Sequence, residues 1–128
     1  MSQRTNYLSN SPFEEVFGYC RAVKKGNILE ISGTVALVDG TNVKEDDFYA
    51  QTKNIIERIK VVIEDAGGKI EDVVRTRIFT TDISKNLEIA KAHVEFFKEI
   101  KPTTGIYEIP ALIAPQYKVE IEFTAILD

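Results

Sequence analysis

At 128 residues the chain has length for one domain, residues 1–128, and none to spare for a second. A hydrophobic content of 44% argues against disorder, and a net charge of −4 argues against a nucleic-acid partner, which usually meets a basic face. The single cysteine, Cys20, excludes an internal disulfide and suits a reducing, cytoplasmic setting.

The opening MSQRTNYLSNSPFEE is polar and does not read as a signal peptide. Residues 1–18 read as an arm or irregular edge segment. Tyr19–Val23 and Asn27–Leu37 flank KKGN and predict a hairpin, with Gly26 free to take the positive φ of its turn. VDGTN reads as a second turn. Asp46 and Asp47 then open a helix that runs to about Ala66, acids suiting its positive N-terminal end. Phe48, Ile55, Ile56, Ile59, Val62, Ile63 and Ala66 form its apolar stripe; Lys53, Glu57, Arg58, Lys60 and Glu64 fall on the wet side. Gly67 and Gly68 stop it.

Val73–Ile83 is rich in β-branched and aromatic residues and predicts a strand. A second helix follows over about 84–100, with Leu87, Ala90, Val94 and Phe97 as its stripe and Ile89, Phe96 and Ile100 widening it. Pro102 marks its end. The last two strands are expected near Thr104–Ile109 and Lys118–Leu127. The order β-β-α-β-α-β-β describes an α+β fold, a sheet with both helices on one face. No apolar run approaches the roughly 18 residues of a membrane span.

Two helices cover one sheet face only, so the other is either polar or covered by a second chain. In the last strand Val119, Ile121, Phe123, Ala125 and Leu127 alternate with Glu120, Glu122, Thr124 and Ile126. In the middle strand Arg75, Arg77, Phe79 and Thr81 lie opposite Val74, Thr76 and Ile78. Arg77 is therefore expected on the same face as the two glutamates. His93 and Cys20 are lone residues far apart in sequence, no cluster has metal-ligand spacing, and there is no glycine-rich phosphate loop. The residues call for no metal and no cofactor.

Three segments resemble the RidA/YjgF family in order: GYCRAVKKGNILEISGTVAL, AGGKIEDVVRTRIFTTDI and KVEIEFTAIL. The resemblance implies a chorismate-mutase-like fold, a homotrimer with inward-facing sheets, and clefts between subunits. It also implies hydrolysis of 2-imino or 2-enamino acids to 2-oxo acids and ammonia, without a cofactor. By the same resemblance Glu120 is the catalytic carboxylate, Tyr19 a cleft residue, and Ser32 with Gly33 the cleft wall. The family's PARS reads PTTG here, so Thr104 stands where its carboxylate-binding arginine would be. Arg77, ahead of Arg75, is the nearby strand cation that could replace it, with Thr104 beside Glu120 on the neighbouring strand. Two functions stand: an imine deaminase acting on a small imino acid, and a trimer that binds a small carboxylate or another small metabolite without chemistry, as a sensor or regulator. An endoribonuclease or translation-inhibitor role ranks third.

Overall fold

The computed structural model describes residues 3–128. A six-stranded mixed sheet is built from β1 (Arg4–Tyr7), β2 (Ala22–Lys25), β3 (Ile28–Val35), β4 (Val73–Thr80), β5 (Thr103–Glu108) and β6 (Val119–Ile126). Their spatial order is β1-β2-β3-β6-β4-β5, and only β4 and β5 run parallel. Three α-helices accompany them: α1 (Pro12–Phe17), α2 (Phe48–Asp65) and α3 (Asn86–Phe97). The fold is α+β, as the element order predicts.

The N-terminal segment departs from that expectation. It adds an edge strand, β1, and the short helix α1, which Ser11 caps by accepting a bond from the Phe13 N–H. Pro12 starts α1 with its ring-fixed φ, and Gly18 ends it at φ 76°, in the left-handed region. The first hairpin is shorter than predicted, because Tyr19–Arg21 lie before β2 rather than in it. Its turn does place Gly26 at φ 64°.

The core lies between the sheet and helices α2 and α3. Leu29, Ile55, Ile56, Ile59, Ile63, Val119, Ile121 and Phe123 are essentially sealed from solvent. The alternation predicted for β6 holds along its length, with Val119 through Leu127 buried at every second position. In β4 the alternation slips once. A bulge between Val73 and Arg75 opposite β6 turns Val73 inward and leaves Val74 exposed, so Val74 does not join Thr76 and Ile78 on the core face.

In α3 the buried residues are Ile89, Ala92 and Phe97, with Phe96 and Ile100 packed beside them, while Leu87 is 79% exposed and Val94 49%. The predicted stripe is therefore rotated. Leu87, Ala90, Val94 and Phe97 recur at helical spacing, yet α3 packs against α2 on the neighbouring side, where the larger group of Ile and Phe lies.

Gln51 is a fully buried polar residue that ties this architecture together. Its amide nitrogen donates to the carbonyls of Lys44, Glu45 and Gln116, and its oxygen accepts from the Lys118 N–H at 2.8 Å. It thus fixes the entry of β6, two residues before Glu120. Replacing Gln51 by Leu leaves these part-buried partners without Gln51, and should cost about 1–3 kcal/mol of folding free energy. Urea denaturation measures this; an unchanged midpoint would show that water reaches those groups.

Candidate functional site

A groove of about 760 Å³ opens along the outer end of β3. Its walls come from α1 and the segment after it, from residues 32–37, from α2 through Arg58, from the β5–β6 loop through Ile113 and Tyr117, and from β6 through Glu120 and Glu122. The cause of its shape is local. β3 pairs with β6 in register up to Ile31 and again from Thr34, with Ser32 and Gly33 bulged between them. The bulge turns Ser32 toward the preceding segment, where its hydroxyl donates to the Cys20 carbonyl at 2.8 Å and its N–H to the Arg21 carbonyl at 2.9 Å.

Glu120 fills the space the bulge creates. A Cβ added at Gly33 would lie 2.8 Å from Glu120 Cδ and 2.9 Å from its Oε2, so the carboxylate rests directly on the glycine backbone. Glu120 is half-buried. Burial, and then the neighbouring Glu122, raise its pKa above the ordinary carboxyl value; the positive charge of Arg21 opposes both.

Arg21 is the residue that composition and periodicity passed over. Its side chain is 10% exposed, and its Nη1 donates to Gly33 O at 2.8 Å and Thr34 Oγ1 at 2.9 Å. Nη2 reaches the Tyr19 hydroxyl at 3.4 Å, and the guanidinium lies 5.6 Å from the Tyr19 ring centroid. The same Nη2 lies 4.0 Å from Glu14, itself buried, which accepts bonds from the Ser9 N–H and hydroxyl. Arg21 thereby joins Tyr19, Gly33 and α1 into one wall. Arg58, assigned to the wet side of α2 by its spacing, instead turns into the groove and donates to the Val35 carbonyl.

The structure therefore brings Tyr19, Ser32, Gly33 and Glu120 together. Arg77 shares their sheet face but stands outside the groove. It lies 4.0 Å from Glu122, its cross-strand neighbour, with both side chains more than 40% exposed, so this pair contributes little to stability. Thr104 does not join Glu120. β6 pairs with β4, not β5, and the Thr104 side chain points to the opposite, helix-bearing face.

There Thr104 bonds Thr76 at 2.8 Å, and Thr76 bonds His93 Nε2 at 3.0 Å. Thr104 and His93 line a second, mostly apolar cleft of about 400 Å³ between α3 and β5, with Val94, Phe97 and Ile106. Burial lowers the His93 pKa to about 4, so its ring is neutral at physiological pH. Among the described residues no group of three His, Cys, Asp or Glu side chains is placed to hold a metal ion, and no helix is long and apolar enough to cross a membrane.

A bulged sheet with a glutamate seated on an SG backbone, in this strand order, defines a small α+β protein of the RidA/YjgF type. The chain belongs to the family described as Endoribonuclease L-PSP, whose sequence model matches residues 10–127. It is 32% identical over 117 residues to an uncharacterised protein of Streptomyces coelicolor, covering 91% of this chain and 87% of that one. It is also 32% identical over 108 residues to the 3-aminoacrylate deaminase RutC of Acinetobacter baylyi, covering 84% and 85% respectively. Among solved structures, Rv2704 of Mycobacterium tuberculosis, a member of the YjgF/YER057c/UK114 family, superposes with a TM-score of 0.90. The two are 41% identical, over 98% of this chain and all of that one.

The contact between Gly33 and Glu120 can be tested by one methyl group. Gly33→Ala should keep the fold, because Gly33 does not need a positive φ and the crowded atoms belong to a side chain. It should displace the Glu120 carboxylate, visible as a changed Glu120 titration by NMR with little change in melting temperature. An unaltered titration would contradict the seating described.

Proposed function

We propose that this protein hydrolyses small 2-imino or 2-enamino acids to 2-oxo acids and ammonia, with Glu120 as the proton-transferring group of the groove. The observation that carries this reading is the placement of Glu120: a half-buried carboxyl with a raised pKa, on a glycine backbone, in a cavity wide enough for a small metabolite.

Hydrolysis of an imine needs water to add at C2 and a proton to reach the nitrogen before it leaves. An enamino acid first takes a proton at C3 to become the imine. Ionised Glu120 can take a proton from water as it adds to the protonated imine, giving a neutral carbinolamine. The protonated carboxyl then gives that proton to the amino nitrogen; as ammonia leaves, the carboxylate takes the C2 hydroxyl proton, the oxo acid forms, and the proton passes to solvent. A carboxyl whose pKa lies nearer neutrality serves both steps better than an ordinary one. Tyr19, held by Arg21, and the Ser32–Gly33 backbone flank the reacting carbon. The similarity to a 3-aminoacrylate deaminase, whose named substrate is an enamino acid, supports the same reaction class.

Binding without turnover is the second reading. It is favoured by the absence of charge at Thr104, which faces the other cleft and is engaged with Thr76. Nothing in the groove supports a nuclease: His93, the only histidine, is in the other cleft and neutral.

The uncovered faces support a homotrimer. Ile28, Tyr107 and Ile126 on the outer sheet face and Leu87 and Val94 on α3 are each more than 40% exposed, an apolar surface that a second and third copy would cover. The number three rests on the family. Analytical ultracentrifugation at micromolar concentration should give a single trimeric species; a monomer would contradict it.

Ammonia release from an imino acid generated in situ tests the chemistry. The wild-type protein should accelerate it, with kcat/KM rising with pH through a carboxyl pKa above the ordinary range. Glu120→Gln should lower the rate about 100-fold or more and abolish that pH dependence. A raised folded pKa stabilises the fold below the unfolded value and loses that contribution as pH rises. Glu120→Gln should therefore be at least as stable as wild type near neutral pH. Full activity in the variant would refute the role of Glu120.

A further inference from the structure

Hydrolysis at C2 leaves the substrate carboxylate unaccounted for, since position 104 carries no charge. Two cations line the groove among the described residues, Arg21 and Arg58, and they differ in what they have left to offer. Arg21 is committed: its Nη1 serves two acceptors, its Nη2 faces Tyr19, and its Nε, although without a partner, is sealed from solvent. Arg58 makes a single hydrogen bond, to the Val35 carbonyl, and no carboxylate lies within 4.0 Å of it among the described residues. The remaining N–H groups of its planar fork have no acceptor among the described residues, which is the arrangement that suits a bidentate carboxylate.

Position supports the same conclusion. The Val35 carbonyl that anchors Arg58 belongs to the residue directly across the β3–β6 ladder from Glu120. Paired residues on adjacent strands lie roughly 5 Å apart, so the anchor of the cation adjoins the base of the acid. Arg21 lies on the wall between α1 and the bulge and adds a second positive charge to the same cavity. Burial and the repulsion of Arg21 both lower the pKa of Arg58, as expected for a cation short of anionic partners. Phe13, Phe17 and Ile113 supply an apolar wall where a short aliphatic side chain could lie.

We infer that Arg58 is the anion-binding residue of this groove, holding the carboxylate of a small 2-imino or 2-oxo acid by its free guanidinium edge while Glu120 faces C2. The inference rests on the proposed hydrolysis for the substrate class, but the binding of a carboxylate can be measured without turnover. Arg58 thus serves the purpose that Thr104 cannot, from a different element and from the groove's own chain.

The test compares 2-oxobutanoate with its primary amide, which has the same shape and no charge, by isothermal titration on the intact protein. Wild type should bind the carboxylate about tenfold or more tightly than the amide, since one charge-assisted contact is worth at least that factor. Arg58→Met should abolish the preference, and Arg58→Lys should restore part of it. Arg77→Met, outside the groove, should leave it intact. A merely structural role for Arg58 would weaken both ligands alike, and an unchanged preference in Arg58→Met would overturn the inference. Absence of turnover in a wild type that still shows the Arg58-dependent preference would refute the hydrolysis and keep the binding residue. Turnover with no such dependence would do the reverse.

Discussion

The groove depends on a buried guanidinium. Arg21 lies under the wall of the cavity and its side chain joins three pieces of chain: α1 through Glu14, the segment before β2 through Tyr19, and the β3 bulge through Gly33 and Thr34. Such an arrangement is costly to break. Removing one member of a buried ionic group leaves the others desolvated and unpaired, typically a loss of about 3 kcal/mol or more. The arrangement also sets the electrostatics of the site. Without the charge of Arg21, burial and Glu122 would raise the Glu120 pKa further.

Seen from the sheet, the molecule has two unequal sides. One is closed by α2 and α3 over an Ile-rich core. The other carries Glu120, Glu122 and Arg77 in company with exposed Ile28, Tyr107 and Ile126. The two clefts divide accordingly: one, on the bulged end of β3, has two carboxylates and two arginines; the other, between α3 and β5, has a neutral His–Thr–Thr chain in an apolar setting. Acid–base chemistry needs groups that change charge near neutral pH, and of the two clefts only the first has a carboxyl shifted in that direction.

Much of the fold was readable because it is periodic. The alternation of Val119 to Leu127 and the stripe of α2 each follow from burying one face, and both hold. What failed was where periodicity gave two answers or none. The spacing of Leu87, Ala90, Val94 and Phe97 is helical but competes with a larger apolar face carrying Ile89 and Phe96, and packing against α2 selects the latter. α1 is six residues long, and β1 is four exposed or half-exposed polar residues, too short and too polar to signal themselves.

The site was legible in part for a similar reason. Tyr19, Ser32, Gly33 and Glu120 came from motifs, and they do meet. Thr104 was set beside Glu120 on the assumption that sequential strands are neighbours, whereas β4 lies between β5 and β6. Arg21 and Arg58 gave no signal, because one precedes a strand and the other sits among the charged residues of an amphipathic helix. A long side chain at a helix edge can turn either way. The most direct measurement of the whole account is a crystal structure with 2-oxobutanoate bound. The account predicts the ligand in the groove, its carboxylate within hydrogen-bond distance of the Arg58 guanidinium and its C2 facing Glu120. A ligand in the α3–β5 cleft, or one in the groove with its carboxylate turned away from both arginines, would contradict it.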